Sequence, residues 1–309
     1  MDAKGENMER GIKRLLALAL CGAMLLGTIA CGGEKNKGKI AIGSKDFTES
    51  ILVSEMYAQL LEANGYAVER RQALGGTPII QESMLSGDVS LYPEYTSTGI
   101  ATVLKEEQEF DPQAAYEKVK AGYAEQFDFV WLAMSGVNNS QALAITQQAA
   151  QTYGVTNLTE LSAAAPQLRL CATPEFEERD DGLKGLKERM GAGGFAFASV
   201  RVYDKGIKYQ VLRNGEADVN VCFTTDADLS KGDIIALTDD IQFWPPYYLA
   251  PVIRGDVLKE NPGVEELLNA LSAKLDTNVM QNLNARVDID QEEYAAVAED
   301  FLQTEGLIK

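Results

Sequence analysis

Short apolar runs alternate along this chain with longer stretches whose apolar residues recur every three or four positions. Lys39-Ile40-Ala41-Ile42-Gly43 is the first run and predicts a strand ending at a glycine. Leu52, Met56 and Leu60 then fall at helical spacing. Before them Asp46-Phe47-Thr48-Glu49 has the form of a capping box, and after them Asn64-Gly65 stops the helix. Residues 67–71 read as a second strand, Thr77-Pro78 as a helix start with proline at its first position, and Val89-Ser90-Leu91 as a third strand. Further strands are predicted at 129–134, 143–146, 168–172, 219–223, 234–237 and 250–253, with helices between most of them. A second capping box, Asp290-Gln291-Glu292-Glu293, precedes a last helix with Tyr294, Val297, Phe301 and Leu302 on one stripe.

Alternating strands and helices of this length imply mainly parallel sheets covered by helices. About 270 residues follow the N-terminal segment, more than one core comfortably holds, so the expectation is a two-lobed α/β fold with a cleft between the lobes. In such sheets ligands sit beyond the C-terminal strand ends, where helix N-termini point inward. There is no internal repeat, and nothing after residue 31 is long and apolar enough to span a bilayer.

The N-terminus has a different pattern. Arg10, Lys13 and Arg14 precede an apolar stretch at 15–29 that is short for a membrane span, as in an export signal. Thr28-Ile29-Ala30-Cys31 resembles a bacterial lipobox, with Thr28 where that pattern prefers leucine. Residues 1–30 are therefore expected to be a signal peptide, Cys31 a lipidated anchor at the outer face of the cell membrane, and 31–38 a polar tether. A plain secretory signal is the alternative, and Met8 is a second possible start.

Composition narrows the chemistry. Among 309 residues, 28 Lys and Arg stand against 46 Asp and Glu, a net charge of −18, which disfavours nucleic acid as a partner. Histidine is absent. That excludes a Ser-His-Asp or Cys-His pair and any His-ligated metal. Neither cofactor nor metal is expected. Cys171 and Cys222 each sit in an apolar run, and both a disulfide and two buried thiols are compatible with that. An exported two-lobed chain of this kind suits a receptor better than an enzyme.

Seven motifs lie along the chain, the first three at the ends of the first three strands. They are Ile42-Gly43-Ser44-Lys45-Asp46-Phe47-Thr48-Glu49, Leu74-Gly75-Gly76-Thr77, Tyr92-Pro93-Glu94-Tyr95-Thr96-Ser97-Thr98-Gly99, Val137-Asn138-Asn139-Ser140, Glu178-Arg179-Asp180-Asp181-Gly182, Thr224-Thr225-Asp226 and Phe243-Trp244-Pro245-Pro246-Tyr247. Together, and in this order, they resemble the substrate-binding proteins of ABC importers for glycine betaine, choline and carnitine. The resemblance runs from about Lys39 to Lys309 and implies a periplasmic-binding-protein-like fold. It places residues 39–140 and 243–309 in lobe 1 and 141–242 in lobe 2. It also implies a monomer that delivers its ligand to permease and ATPase subunits on separate chains.

A trimethylammonium group has no N–H to donate, so aromatic faces must hold it, at roughly 0.5–2 kcal/mol per ring. The resemblance assigns Tyr95, Tyr247 and Phe223 to such a cage and Thr98 to a donor. Gln141, after Asn139 and Ser140, stands where an aromatic wall is usual. Lys45 and Arg179 match positions near the ligand's anionic end. With Gln141 in place of a ring, a polar amino acid or a less methylated amine is an alternative ligand. A third reading, a secreted carboxylate-dependent hydrolase, has only Glu94, Glu178 and Asp226 to draw on, and their spacing indicates no acid–base pair. Gly75-Gly76-Thr77 lacks the lysine and spacing of a P-loop and reads as close packing near the cleft.

Overall fold

The computed structural model describes residues 37–203 and 207–309; the signal segment and Cys31 lie outside the described residues. Two five-stranded sheets organise the chain. The first contains β1 (Lys37–Gly43), β2 (Tyr66–Arg71), β3 (Leu91–Tyr95), β4 (Phe129–Trp131) and β10 (Leu249–Arg254), in the order β2-β1-β3-β10-β4. The second contains β5 (Gln141–Thr146), β6 (Arg169–Ala172), β7 (Ser199–Val202), β8 (Val219–Phe223) and β9 (Ile234–Ala236), in the order β7-β6-β8-β5-β9.

The expected two-lobed α/β architecture is present, and in each sheet one strand runs against its neighbours. β10 is antiparallel to β3 and β4, and β5 is antiparallel to β8 and β9, whereas β1 and β3, and β6 with β7 and β8, pair in parallel. The reason lies in the connections. β5 and β10 are entered directly from the other lobe, with no preceding helix to impose a parallel crossover. The two crossing segments lie side by side: Asn138 bridges Tyr248, Asn139 N–H donates to Tyr247 O at 3.0 Å, and the hydroxyls of Thr96 and Ser97 both donate to Pro246 O, at 2.8 and 2.6 Å. They form a two-stranded hinge.

Both faces of each sheet are covered, which explains the continuously apolar strand runs. Helices Thr48–Ala63, Gly263–Ser272, Thr277–Asp288 and Tyr294–Thr304 bury one face of the first sheet around Ile42, Leu52, Met56 and Leu268. Helices Thr77–Ser86 and Pro112–Phe127 bury the other around Ile80, Tyr92 and Trp131. The second sheet has its own two clusters. Phe243 and Trp244 pack in one of these, whereas Tyr247 packs against the first sheet's core.

Several local expectations need correction. Asp46 and Glu49 do not form a capping box. The N-cap of Thr48–Ala63 is Phe47, with no side-chain cap bond, because the Glu49 carboxylate turns inward to other donors. Nor do Asp290 and Glu293. Asp290 N–H still donates to Ala285 O of the preceding helix, and Glu293 itself stands at the N-cap of Tyr294–Thr304. β7 was not expected, since its four residues are half-buried or exposed and carry no apolar run. Cys171 and Cys222 are buried free thiols. Cys171 pairs with Asn220, which puts Cys222 two residues further along the neighbouring strand. That is a Cα separation of roughly 8 Å, beyond disulfide reach. Burial pushes the Cys171 thiol up to about 11, so it is unreactive.

Candidate functional site

The motif turns at the strand ends converge on a cavity of about 900 Å³ lined from both sheets and from the hinge. All eight residues singled out in the sequence line it: Lys45, Tyr95, Thr98, Asn139, Gln141, Arg179, Phe223 and Tyr247. Phe47, Glu49, Phe110, Asp181, Asp226, Trp244, Asn284 and Asp288 join them.

On the lobe 1 side, β3 ends at Tyr95, which is buried, and its ring lies 6.2 Å from that of Phe47. Lys45 Nζ lies 5.1 Å from the Tyr95 centroid. Lys45 is ion-paired with Glu94, and both are buried. Glu94 also accepts from Thr77 Oγ1 at 3.2 Å and from the Tyr95 N–H at 2.8 Å. Glu94 is thus spent holding Lys45 and two turns in place. Thr77, read in the sequence as a packing residue, is part of this network.

On the lobe 2 side, Phe223 closes β8, is 49% exposed and lines the cavity. Gln141 is its direct cross-strand partner. Asp226 sits three residues on. It takes Lys208 Nζ at 2.6 Å and Tyr209 O–H at 2.7 Å, and it accepts the Phe223 N–H at 3.2 Å, which fixes that turn. Arg179 Nε donates to Asp181 Oδ1 at 2.5 Å on an exposed turn. The turn depends on its glycines: a Cβ on Gly182 would lie 2.1 Å from Phe176 O, and one on Gly185 would lie 1.7 Å from Asp180 O. Trp244 Nε1 donates to Asp181 O at 2.9 Å and ties the hinge return to the same turn. Tyr247 is half-buried, and burial raises its phenol.

The sequence reading missed Glu49 as a site residue. Its side chain is 2% exposed. Oε1 accepts Tyr95 O–H at 2.7 Å and Asn139 Nδ2 at 3.0 Å, and Oε2 accepts Asn284 Nδ2 at 3.1 Å. Burial raises this carboxyl above its usual range, partly offset by those bonds. Asn284 Nδ2 also donates to Thr225 O at 3.0 Å, so one network runs from the lobe 1 tyrosine to the lobe 2 turn. Asp288, one helical turn beyond Asn284, accepts Thr48 Oγ1 at 2.6 Å, and burial raises it too. Phe47, Glu49 and Trp244 lie inside the sequence motifs. Asn284 and Asp288 lay in an ordinary helix and gave no signal.

Five carboxylates (Glu49, Asp180, Asp181, Asp226 and Asp288) line this cavity; Asp180, Asp181 and Asp226 are ion-paired with Lys184, Arg179 and Lys208, and burial raises Glu49 and Asp288. No cluster among the described residues has the donor set for a metal ion. Among them, too, no helix is long and apolar enough to cross a membrane.

Comparison with known proteins gives a consistent answer. The family model of the substrate-binding domain of ABC-type glycine betaine transport systems matches residues 38–304. The chain is 31% identical over 294 residues to the glycine-betaine-binding protein of Pseudomonas aeruginosa, covering 91% of this chain and 94% of that protein. It is 31% identical over 269 residues to the ergothioneine transport permease/ergothioneine binding protein EgtU of Helicobacter pylori, where 87% of this chain spans only 48% of that longer protein. The crystal structure of a glycine betaine/carnitine/choline ABC transporter superposes with a TM-score of 0.83 at 28% identity, covering 87% of this chain and all of that one. The chain belongs to the family of substrate-binding domains of ABC-type glycine betaine transport systems, a family of solute receptors and not of enzymes.

Proposed function

We propose that this chain is the exported receptor of an ABC importer, tethered by lipidated Cys31, that holds a quaternary ammonium compound between its lobes for separate permease and ATPase chains. Lobe 1 is taken as 39–140 with 243–309 and lobe 2 as 141–242. The observation that carries the reading is the set of aromatic residues on one cavity: Tyr95 and Tyr247 packed on the lobe 1 core, and Phe223 from lobe 2. Ring faces attract a cation that cannot donate a hydrogen bond. Lys45 and Arg179 line the same space and suit a ligand carboxylate. Closure of the lobes would expel water and strengthen these contacts, and the ligand favours the closed state only by its greater affinity for it.

The names of the relatives supply a panel: glycine betaine, carnitine, choline and ergothioneine, each with a trimethylammonium group. Isothermal titration is expected to show binding by at least one of them at micromolar concentration. Silence from all four at millimolar concentration would remove this function. Gln141, beside Phe223, is the observation that favours a less methylated amine or a polar amino acid as a second reading. Gln141→Tyr restores a ring at that wall and should tighten glycine betaine about five-fold, near 1 kcal/mol. Weaker binding by that variant, with tighter binding of an amino acid by the unaltered protein, would favour the second reading.

A further inference from the structure

We propose that Phe110, in the lobe 1 loop before helix Pro112–Phe127, is a further ring of the ligand site: it closes the side of the cavity where Gln141 stands and helps set how tightly a methylated cation is held. This rests on the reading of the cleft as a quaternary ammonium site and adds a residue to it.

The position follows from the two faces of the hinge. Successive residues of an extended segment point to opposite sides. Asn139, Gln141 and Tyr247 line the cavity already described, whereas Asn138, Ser140 and Tyr248 line a second one, of about 590 Å³. The two cavities therefore lie on opposite faces of the hinge. Phe110, Gln141, Trp244 and Pro245 line both, so these residues form the rim where the cavities meet. Tyr95, Phe223 and Tyr247 line the first cavity alone and leave that rim to others. Gln141 and Pro245 have no aromatic face to offer. Trp244 is 7% exposed, packs edge-on against Phe243 with centroids 5.0 Å apart, and belongs to the lobe 2 core. Phe110 is 41% exposed and packs in none of the apolar clusters of the described residues, so its ring is available to a ligand.

The loop holds that ring in place. Glu106 N–H donates to Ile100 O at 3.1 Å, Gln108 Nε2 to Ser97 O at 3.1 Å, and Lys118 Nζ to Glu107 O at 2.6 Å. Beyond the ring, Asp111 caps the next helix by accepting Ala114 N–H at 2.8 Å. Ser97 in turn donates to Pro246 O, which ties the loop to the hinge. A ring carried on a backbone fixed at both ends loses little freedom when a ligand meets it, so more of the contact appears as affinity.

The test is isothermal titration of the full chain and its variants with glycine betaine, carnitine, choline and ergothioneine. For each compound that binds the parent, Phe110→Ala is expected to weaken binding about two- to thirty-fold, the range of one ring against a cation. The ligand-free variant should melt within about 2 °C of the parent, since this side chain fills no core. Phe110→Leu keeps the apolar bulk and loses the ring, and should bind nearly as weakly as Phe110→Ala. Gln141→Tyr puts a ring on the same rim and should restore most of what Phe110→Ala loses. Unchanged affinity in Phe110→Ala would overturn the inference and leave the grip of the other three rings standing. Parent-like binding by Phe110→Leu would make the residue a plug and overturn it too. No binding of any of the four compounds by the parent would overturn the reading of the cleft itself, and this inference with it.

Discussion

Replacing Glu49 with alanine is expected to lower the melting temperature by about 5–10 °C and to loosen the cavity. The carboxylate accepts Tyr95 O–H, Asn139 Nδ2 and Asn284 Nδ2, all buried or half-buried. Each donor left without an acceptor costs about 1–3 kcal/mol. Removing a buried charge recovers part of that, for a net loss of about 2–4 kcal/mol, and a chain of this size shifts a few degrees per kcal/mol. A fall of under 2 °C would show that the network contributes little. Glu49 also sets a pH response. Its carboxyl is raised above 4.5 by burial, so the native state holds this proton more tightly than the unfolded chain does. Its contribution to stability is complete below about pH 4.5 and is lost as the pH rises through its raised native value. In Glu49→Gln this part of the pH profile should disappear, as thermal melts from pH 4 to 8 would record. The chain has no histidine, so no imidazole titrates across that window.

The second large effect concerns the rings. Tyr247→Ala should weaken a trimethylammonium ligand at least several-fold, and Phe223→Ala by a similar factor, since each ring contributes roughly 0.5–2 kcal/mol. The two come from opposite sides of the cleft, so the double variant should lose close to the product of the two factors, about 10- to 100-fold. The ligand-free protein should melt within about 2 °C of the parent, because Phe223 is 49% exposed and Tyr247 half-buried, and neither fills the centre of a core. A double variant that melts far lower, with ligand affinity unchanged, would identify both rings as packing groups.

The fold was legible in the chain because buried strands write themselves as apolar runs, and the glycine-bearing turns after them carry the motifs. β3 is buried along its whole length, polar Glu94 included. Of the four edge strands, β2, β4 and β9 were legible and only β7 was not, because it buries too little surface to show a pattern. The direction of β5 and β10 depends on which lobe the chain comes from, a tertiary fact that no local periodicity encodes.

The site residues were named through the family resemblance of the motifs. Tyr95, Phe223 and Tyr247 sit at or next to strand ends, where a cleft forms, and all three line the cavity. Glu49 was misread because a glutamate in a helix's first turn ordinarily closes a cap. Here the tyrosine at the end of β3 and two asparagines from distant segments claim it first. Asn284 lies 235 residues from Glu49 along the chain. Only the packing of helix Thr277–Asp288 against the lobe 2 turn brings it to the cavity, where Gln281 Nε2 also donates to Thr224 O at 2.7 Å.

The account depends on charge being recognised by ring faces, and one comparison isolates that. Titration calorimetry of choline against 3,3-dimethylbutanol, which has the same shape with carbon in place of nitrogen, should give at least ten-fold tighter binding for choline, the sum of two or three cation–ring contacts. Equal affinity for the uncharged compound would mean that the cavity selects shape and greasiness alone, and the aromatic grip on a cation would be wrong.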